Sequence, residues 1–434
     1  MDDDELSLLC TGDLHLGRHP TRVPSNLDGP AFSPKSTWSN IIQHALDNDV
    51  DAVVISGDIA DRENRYFEAF GAFETGAARL TEADIPVITV AGNHDCDVFP
   101  RMVSDIDLDD LHLLGRDGHW ERWTLENDGE PLIHFDGWSF PDEHVYTSPM
   151  EDYDLPAADG VPQIGVLHAD LDSRDSQYAP VQSSELRSSP MTSWVLGHIH
   201  SPGVRITSEP LVLYPGSPQP LDPGEPDAHG PWILSIDASG QATAAQNPLA
   251  SVRYDSLEVD VSGIDDPQGV GPLISDEIEN HIRSISPIGP LELLLVRIQL
   301  TGRTSAHAEL VAEQHRIQNQ FGSNEGSVTV RIDSLEVDTR PAIDLEQRAE
   351  GDDAVAHIAS LLLDLQRDEP SDSVAPLIDE ATRNMQQAYN SNAYTLLQRE
   401  NEVARPDRQA AADTLEQEAK VLLDTLLAQK ESES

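Results

Sequence analysis

Short apolar runs alternate with amphipathic stretches over the first 200 residues of the chain. The runs have the length and composition of strands buried between two layers, and they cover residues 6–10, 52–56, 87–91, 163–167 and 194–196. Helical periodicity occupies residues 35–47 and 64–83, between the first three runs. This order predicts a β-α-β-α-β arrangement, in which parallel strands are joined by crossover helices.

Polar side chains follow each apolar run at once. The five blocks are Asp13-Leu14-His15, Gly57-Asp58, Gly92-Asn93-His94-Asp95, Leu167-His168 and Gly197-His198-Ile199-His200. The carboxyl ends of the strands form the edge of an α/β sheet where functional sites lie. Carboxylates, imidazoles and one amide suit a pair of divalent ions, and a two-metal site hydrolyses phosphoesters with a metal-activated water. The sequence therefore predicts phosphoester hydrolysis.

Each block taken alone has a more ordinary explanation. Asp-x-His is more often a turn or a helix cap, and Gly-Asp after a strand is a common strand–loop junction. Gly-His-x-His is the most specific block, because residues i and i+2 of an extended segment share a face. All five blocks in order at strand ends predict one shared metal site.

The blocks as they stand resemble those of the calcineurin-like metallophosphoesterases: GDLHLGR, GDIADREN, VAGNHD, VLHAD and VLGHIH. YAPVQSSEL at residues 178–186 and LVLYPGSPQP at residues 211–220 are similar to the DNA-repair exonuclease branch, the SbcD/Mre-type nucleases. The resemblance covers residues 5–240 strongly and 250–340 loosely. It implies an α/β fold, with a four-layer α/β/β/α sandwich, a small α/β capping domain and a helical C-terminal region.

The resemblance also implies a role for each residue of the site. The first metal would be held by Asp13, His15 and His200. The second metal would be held by Asn93, His168 and His198, and Asp58 would bridge the two metals. The family precedent favours Mn²⁺ for both ions. His94 would be the catalytic residue that faces the phosphate and helps to protonate the leaving oxygen. Asp95 would orient that imidazole or an adjacent loop, or else cap the following turn.

The loop after Asp58 leaves the mode of cleavage open. It reads Ile59-Ala60-Asp61, where some Mre nucleases have a second functional histidine, so exonuclease and endonuclease action are both compatible with the sequence. Three arginines follow the first two blocks, namely Arg18, Arg62 and Arg65. They would either contact phosphates in a bidentate manner or be solvated surface residues.

The composition predicts a halophilic protein. The formal net charge is −51, from 78 acidic and 27 basic residues, and lysine occurs only at positions 35, 420 and 430. Such a charge repels itself at low ionic strength, whereas molar salt shortens the Debye length to ~3 Å. The sequence has no obvious basic patch, the usual sign of DNA binding, although counterion release contributes little in concentrated salt.

The pattern changes after about residue 245. Strand-like segments at 256–261, 291–300 and 327–337 alternate with helical ones at 272–284 and 306–318. The pattern predicts a small α/β module over residues 246–340. The resemblance implies that residues 1–245 form a nuclease domain and that this module is a capping domain; the alternative is a stabilising appendage. Residues 341–434 have a helical pattern with apolar stripes, formed by Ile358, Leu361, Leu362 and Leu365 and by Leu415, Ala419, Leu422, Leu423, Leu426 and Leu427. Each stripe either folds back on its own domain or accepts a helix of a partner.

The resemblance extends to partners and substrate. It implies DNA as substrate, a homodimer, and an SbcC-like ABC-type ATPase bound through the C-terminal helices. The sequence has no charged-then-apolar leader and no apolar run near 18 residues, so we expect a soluble cytoplasmic protein without a membrane partner. Two alternatives stay open: a phosphodiesterase or phosphatase acting on a small nucleotide, and a DNA-end-binding scaffold with secondary catalysis.

Overall fold

The computed structural model describes residues 5–24, 27, 29–60, 66–158, 160–285, 289–320, 322–325, 328–367, 370–390 and 405–432. The chain divides into two compact units. The larger contains residues 1–302 and 308–339, and the smaller contains residues 303–307 and 340–434.

The strands of the described residues are mostly short. They are β1 (Leu6–Thr11), β2 (Ala52–Ile55), β3 (Val87–Thr89), β4 (Leu111–Leu113), β5 (Glu121–Asn127), β6 (Glu130–Trp138), β7 (Gln163–His168), β8 (Asp170–Leu171), β9 (Pro180–Val181), β10 (Ser193–Gly197), β11 (Gly203–Ile206), β12 (Leu211–Tyr214), β13 (Trp232–Ile236), β14 (Ala242–Gln246), β15 (Val252–Asp260), β16 (Leu293–Thr301), β17 (Arg303–Thr304), β18 (Gly322–Glu325), β19 (Val328–Val337) and β20 (Arg340–Pro341).

The α-helices of the described residues are α1 (Pro34–Asp47), α2 (Tyr66–Thr81), α3 (Phe99–Asp105), α4 (Ser183–Ser188), α5 (Val270–Ser284), α6 (His307–Gln320), α7 (Leu345–Ala349), α8 (Ala354–Leu365), α9 (Ala375–Tyr389) and α10 (Arg408–Ser432). Among the described residues, none of the helices is both long and apolar enough to cross a membrane.

Two six-stranded sheets form the first part of the larger unit. Their strand orders are β14-β13-β1-β2-β3-β4 and β11-β12-β10-β7-β6-β5. Strands β1 to β4 are parallel neighbours, and so are β6, β7, β10 and β12 in the second sheet. The predicted parallel strands with helices between them are confirmed.

The central strands of both sheets, such as β2 and β10, are buried on both faces. Successive side chains of a strand point to opposite faces, so each strand contributes to two cores. In β1, Leu8 and Cys10 lie in the core between the two sheets, whereas Leu9 packs in the core that contains residues of α1 and α2. In β10, Val195 faces the same inter-sheet core, and Trp194 packs on the far side, in a cluster that contains Leu186 of α4. The layers are therefore helix, sheet, sheet and helix, which confirms the predicted four-layer sandwich.

A third sheet of order β15-β16-β19-β18 follows in the same unit. Strands β15, β16 and β19 are parallel, and α5 and α6 connect them with buried Ile274, Ile278 and Leu310. This confirms the predicted β-α-β-α-β module. Strand β18 pairs antiparallel to β19 and was not predicted, because its sequence GSNE has no apolar pattern.

The third sheet is anchored to the loop that follows β1. Phe32 packs in one apolar cluster with Val252, Tyr254, Leu293 and Leu295. The Tyr254 hydroxyl donates a hydrogen bond of 2.6 Å to the Thr21 carbonyl. The third sheet, which we call the capping sheet, and the four-layer sandwich therefore share one apolar cluster.

The smaller unit consists of the β17–β20 pair and helices α7 to α10. Leu362 of α8 and Leu423 of α10 lie in one apolar cluster, and Leu365, Ile378 and Ala411 lie in another. The two predicted stripes therefore pack against each other, within their own unit. Leu422 of the second stripe is 45% exposed within this unit, so its burial by a partner helix stays a prediction.

Candidate metal site

The predicted ligands follow the carboxyl ends of strands in both large sheets, namely β1, β2 and β3 in one and β7 and β10 in the other. Backbone hydrogen bonds hold the loops after β1 and β2 together. The Asp13 N–H donates to the Gly57 carbonyl at 3.0 Å, and the His15 N–H donates to the Asp58 carbonyl at 3.0 Å. Residues that are distant along the chain therefore converge at one edge of the sandwich.

Within the described part of the chain, two groups of side chains place possible ligand atoms within 4.8 Å of one another: Asp13, His15 and His200, and Asp13, Asp58 and His168. The Nε2 atoms of His15 and His200 lie 3.1 Å apart. His168 Nε2 lies 3.3 Å from Asp58 Oδ2. This set of carboxylates and imidazoles, buried except for the half-buried His200, fits divalent transition-metal ions. Asp13 belongs to both groups, and the bridging role of Asp58 stays a prediction.

Asn93 and His198 adjoin the second group. Asn93 Oδ1 lies 3.0 Å from His168 Nε2. The His198 ring contacts the His168 ring at a centroid distance of 5.4 Å, and the His198 backbone N–H donates to Asp13 at 3.1 Å. The structure thus brings all seven predicted ligands to one place. The assignment of individual ligands to two ions stays a prediction.

His94 lies at the border of the site. Its ring meets the ring of His15 edge-on, at a centroid distance of 5.4 Å, and its backbone N–H donates to Asp58 Oδ1 at 2.9 Å. His94 is exposed, whereas its neighbours Asn93 and Asp95 are buried. An exposed imidazole beside the ligands is placed to contact a substrate.

Asp95 ties two loops of the site together. Its carboxylate accepts hydrogen bonds from the backbone N–H groups of Gly92 at 2.8 Å, Ile59 at 2.7 Å and Ala60 at 3.2 Å. Burial and the nearby Asp58 raise the pKa of Asp95 to about 7. Of the predicted alternatives for Asp95, these contacts correspond to the orientation of an adjacent loop.

Several ligand residues adopt backbone conformations that are unusual for side chains other than glycine. The φ angles are 47° for Asp13, 45° for His15, 50° for Asp58 and 93° for His198. Such conformations cost about 1–3 kcal/mol each and persist where the surrounding structure imposes them, often at functional sites. Gly92 is required here for space, because a Cβ atom at this position would lie 2.2 Å from Asp58 Oδ1.

Burial and mutual attraction set the protonation of the site. Burial would raise the pKa of Asp58, but His168 and neighbouring imidazoles hold it well below its usual range. Burial would lower the pKa of His168, but Asp58 raises it to about 9. Burial and the adjacent His168 lower the pKa of His198 to about 3, so His198 is neutral. Binding of a metal to His168 therefore competes with a proton.

Glu225 is a site residue that the sequence analysis missed. Its Oε1 lies 2.6 Å from His200 Nδ1, and its Oε2 accepts hydrogen bonds from Ser217 Oγ and the Leu221 N–H, both at 2.9 Å. Because an ionised carboxylate only accepts, Nδ1 of His200 carries the hydrogen and Nε2 is left for a metal. The available signal was the Pro/Gly-rich loop after LVLYPGSPQP, which carries Glu225.

We expect Glu225→Gln to weaken metal binding by about 10- to 100-fold, the usual effect of removing a carboxylate behind a ligating histidine. The measurement is a calorimetric titration with Mn²⁺, together with activity as a function of Mn²⁺ concentration. Activity should recover when the ion is in excess. Glu151→Gln, at an exposed position, is the matched control. An unchanged metal affinity would show that Glu225 does not position His200.

Comparison with known proteins agrees with this geometry. Residues 6–202 match the family model of the calcineurin-like phosphoesterases, and residues 254–340 match the middle domain of the metallophosphoesterase YhaO. Residues 6–202 thus form a calcineurin-like metallophosphoesterase domain, in agreement with the fold and the site. This family uses a dinuclear divalent metal site.

The similar proteins are phosphoesterases and repair proteins. The uncharacterized metallophosphoesterase YhaO of Bacillus subtilis is 25% identical over 292 residues, which are 65% of this chain and 70% of that protein. The DNA double-strand break repair protein Mre11 of Halobacterium salinarum is 25% identical over 399 residues, which are 86% of this chain and 89% of that protein. Mre11 of Haloferax volcanii is 33% identical over 124 residues, covering 26% of this chain and 25% of that protein.

Of the three arginines that were predicted to contact phosphates, the structure describes one. Arg18 is exposed on the loop after β1, and its backbone N–H donates to the His15 carbonyl at 3.0 Å. Arg62 and Arg65 lie outside the described residues, and so does Asp61. Phosphate contact by these arginines stays a prediction.

Proposed function

We propose that the chain is a two-metal-dependent DNA nuclease of double-strand-break repair that acts in the cytoplasm as an exonuclease, an endonuclease or both. One observation carries the proposal: two ligand groups, buried except for the half-buried His200, share Asp13, and an exposed His94 lies at their border. The choice of DNA is supported by the alignment with an Mre11 protein over 86% of the chain.

The residues of the site have three roles in hydrolysis: they bind the metals, protonate the leaving oxygen or position the metal ligands. Divalent ions, for which we propose Mn²⁺, would polarise the phosphate and lower the pKa of an attacking water when held by Asp13, His15, Asp58, Asn93, His168, His198 and His200. His94 stabilises the charge of the phosphate and protonates the leaving oxygen. Glu225 and the Ser56 carbonyl, which lies 2.9 Å from His168 Nδ1, hold the hydrogens of His200 and His168 away from the metals.

A small-nucleotide phosphodiesterase is the second candidate. The observation that favours it is the match of residues 254–340 to the middle domain of YhaO, a protein described as a metallophosphoesterase rather than as a nuclease. The same ligands serve either substrate, so the site alone does not separate the two. A DNA-end-binding scaffold has less support, because all seven predicted ligands converge.

The test is hydrolysis by the purified chain in molar KCl with Mn²⁺, because we expect the charge of −51 to require concentrated salt. The substrates are labelled single-stranded and duplex DNA, and cyclic and linear mononucleotides. Mn²⁺-dependent DNA cleavage supports the nuclease. Hydrolysis of a mononucleotide without DNA cleavage would replace it with the second candidate. Parallel assays with Mg²⁺ and Zn²⁺ test the identity of the metal.

We also propose that the chain works as a homodimer with an SbcC-like ABC-type ATPase, which binds the C-terminal helices. Support comes from the outer side of α10, where Val421 is 62% exposed and Leu422 is 45% exposed. An ATPase helix that covers these side chains would bury apolar surface, at about 25 cal/mol per Å².

The double variant Val421→Glu/Leu422→Glu is expected to reduce binding of the ABC-type ATPase from the same genome at least tenfold. The nuclease activity of the isolated chain should not change. Gln409→Glu/Gln417→Glu, at two exposed positions of the same helix, adds the same charge and is the control. Surface plasmon resonance measures the affinity for the ATPase. Light scattering measures the number of subunits and so tests the homodimer. Equal binding by both variants would exclude α10 as the docking helix.

A further inference from the structure

The loop between β12 and β13 contacts both the metal site and the capping sheet. We call residues 215–231 the Glu225 loop. Towards the metal site, the Glu225 carboxylate contacts His200 at 2.6 Å. Towards the capping sheet, the backbone N–H of Asp227 donates to Asp255 Oδ1 at 3.3 Å. Because the two contacts are only two residues apart, a movement at one of them is transmitted to the other.

Two acceptors of β15 hold the backbone of Asp227 in an unusual conformation. The Asp227 N–H donates to the Tyr254 carbonyl at 3.1 Å as well as to Asp255. Asp227 has a φ angle of 73°, which residues other than glycine rarely adopt. Such a conformation persists where the surrounding structure imposes it. The capping sheet therefore supplies contacts that set the backbone of the Glu225 loop at this point.

Asp255 is itself held firmly by charged partners. Its Oδ2 accepts a hydrogen bond from Arg253 Nε at 2.7 Å and lies 2.6 Å from His281 Nε2 of α5. The Asp255 side chain is only 3% exposed. Burial would raise the pKa of Asp255, but the hydrogen bonds from His281 and Arg253 hold it below its usual range, so the carboxylate is ionised. The position of Asp255 is therefore set by the capping sheet and by the helix that packs on it.

The two oxygens of Asp255 have different partners. Oδ2 takes the charged groups of Arg253 and His281, whereas Oδ1 accepts from the Glu225 loop. An ion pair that only stabilised the capping sheet would not need the second contact. The hydrogen bond between Glu225 and His200 is sensitive to the position of the loop, because a displacement of about 1 Å takes such a bond beyond hydrogen-bond range.

We infer that Asp255 is a positioning residue of the metal site, which holds the Glu225 loop against the capping sheet and so keeps Glu225 on His200. The inference rests on the proposed function, in which His200 holds a metal through Nε2. Partners behind a ligating histidine fix its ring and raise its affinity for the ion. The capping sheet therefore contributes to metal affinity although none of its residues is a ligand.

The first variant is Asp255→Asn, which keeps the size of the side chain. An amide has one acceptor oxygen and two donors of its own, so it cannot accept from Arg253, His281 and the Asp227 N–H together. We expect the affinity for Mn²⁺, measured by calorimetric titration in molar KCl, to fall about three- to tenfold. The loss should be smaller than that of Glu225→Gln, because the carboxylate behind His200 is still present.

The matched control is Asp136→Asn. Asp136 is a buried carboxylate that also pairs with an arginine, since Arg122 Nε donates to it at 2.6 Å, but it lies on β6. The control therefore removes the same kind of ion pair and should retain the Mn²⁺ affinity of the parent protein. An equal loss of affinity in both variants would overturn the inference, because it would show a general effect of destabilisation.

A double variant shows whether Asp255 acts through Glu225. Asp255→Asn/Glu225→Gln is expected to bind Mn²⁺ as weakly as Glu225→Gln alone, because no carboxylate is then left to position behind His200. Losses of affinity that multiply in the double variant would show that the two residues act independently, and would overturn the inference.

Hydrogen exchange gives a measurement on the metal-free protein. The backbone N–H groups of Asp227 and Leu221 donate to Asp255 and Glu225, respectively. Asp255→Asn is expected to raise the exchange rate of peptides from the Glu225 loop about tenfold, whereas β1 and β2 should exchange as in the parent protein. Unchanged exchange of the loop would contradict the inference.

A second variant covers the case in which Asp255→Asn does not fold. His281→Gln changes a side chain that is 20% exposed and removes one partner of Asp255. It should raise the exchange rate of the Glu225 loop and lower the Mn²⁺ affinity in the same direction as Asp255→Asn, but less. A folded His281→Gln protein without either change would also overturn the inference.

The two proposals fail in different ways. If the parent protein binds no Mn²⁺, both are overturned. If Mn²⁺ binds with equal affinity to Asp255→Asn and to the parent protein, the positioning role is overturned and the proposed function stands. If Asp255→Asn loses Mn²⁺ affinity but the parent protein does not cleave DNA, the nuclease proposal is wrong and the positioning role stands.

Discussion

Asp58→Asn is expected to lower phosphodiester hydrolysis by at least about a thousandfold at a saturating substrate concentration. A loss of this size corresponds to about 4 kcal/mol of transition-state stabilisation, within the several kcal/mol that metal ions supply. The Asp58 carboxylate lies 3.3 Å from His168 and accepts the His94 N–H at 2.9 Å. The variant keeps the size of the side chain but loses the negative charge that attracts the ions.

The same variant should lose stabilisation by metal. An ion present at 100 times its Kd stabilises the folded state by about 2.7 kcal/mol, so Mn²⁺ should raise the Tm of the parent protein by several degrees. Calorimetric scans with and without Mn²⁺, together with kcat, provide the measurement. Asp109→Asn removes one exposed carboxylate and should behave as the parent protein. Asp58→Asn with full Mn²⁺ stabilisation would rule out Asp58 as a ligand.

His94→Gln is expected to reduce kcat by about 10²- to 10⁴-fold, the usual contribution of a positioned general acid. Because His94 is exposed and borders the ligand groups, its loss should leave metal affinity within about threefold of the parent value. Kinetics at saturating Mn²⁺ and a calorimetric metal titration separate the two quantities.

The control for this variant is His119→Gln, which changes another exposed histidine. A drop in kcat accompanied by an equal loss of metal affinity would make His94 a ligand rather than a general acid. Unchanged kcat would remove His94 from the mechanism, and another group would then have to protonate the leaving oxygen.

The sequence was sufficient to place the candidate ligands together, because the information for their position is local. Each ligand block directly follows an apolar run, and parallel strands deliver their carboxyl ends to one edge. Positions at the strand ends could therefore be placed together without knowledge of the packing. The types of side chain then indicated what the site binds, since carboxylates and imidazoles in this combination suit divalent ions.

Other features depend on contacts between distant segments and were not predicted. Glu225 contacts His200 because the loop after β12 folds back towards the metal site, and no residue spacing in the sequence predicts this contact. The β5–β6 hairpin has the Asp128-Gly129 turn, with φ angles of 53° and 85°, yet its strands are too polar to stand out as buried runs. Leu422 belongs to the helical stripe but is 45% exposed in this chain, and the stripe alone does not show which of its positions α8 and α9 cover.

The contact of Phe32 with the capping sheet affects how this architecture can change during evolution. The loop after β1 carries Thr21 and Phe32 directly downstream of the ligands Asp13 and His15, and the capping sheet covers it. A gene fusion that exchanged only the segment beyond residue 245 would leave Phe32 without its apolar neighbours. The capping sheet and the metallophosphoesterase sandwich are therefore expected to be inherited as one block, with domain shuffling confined to the helical C-terminal unit.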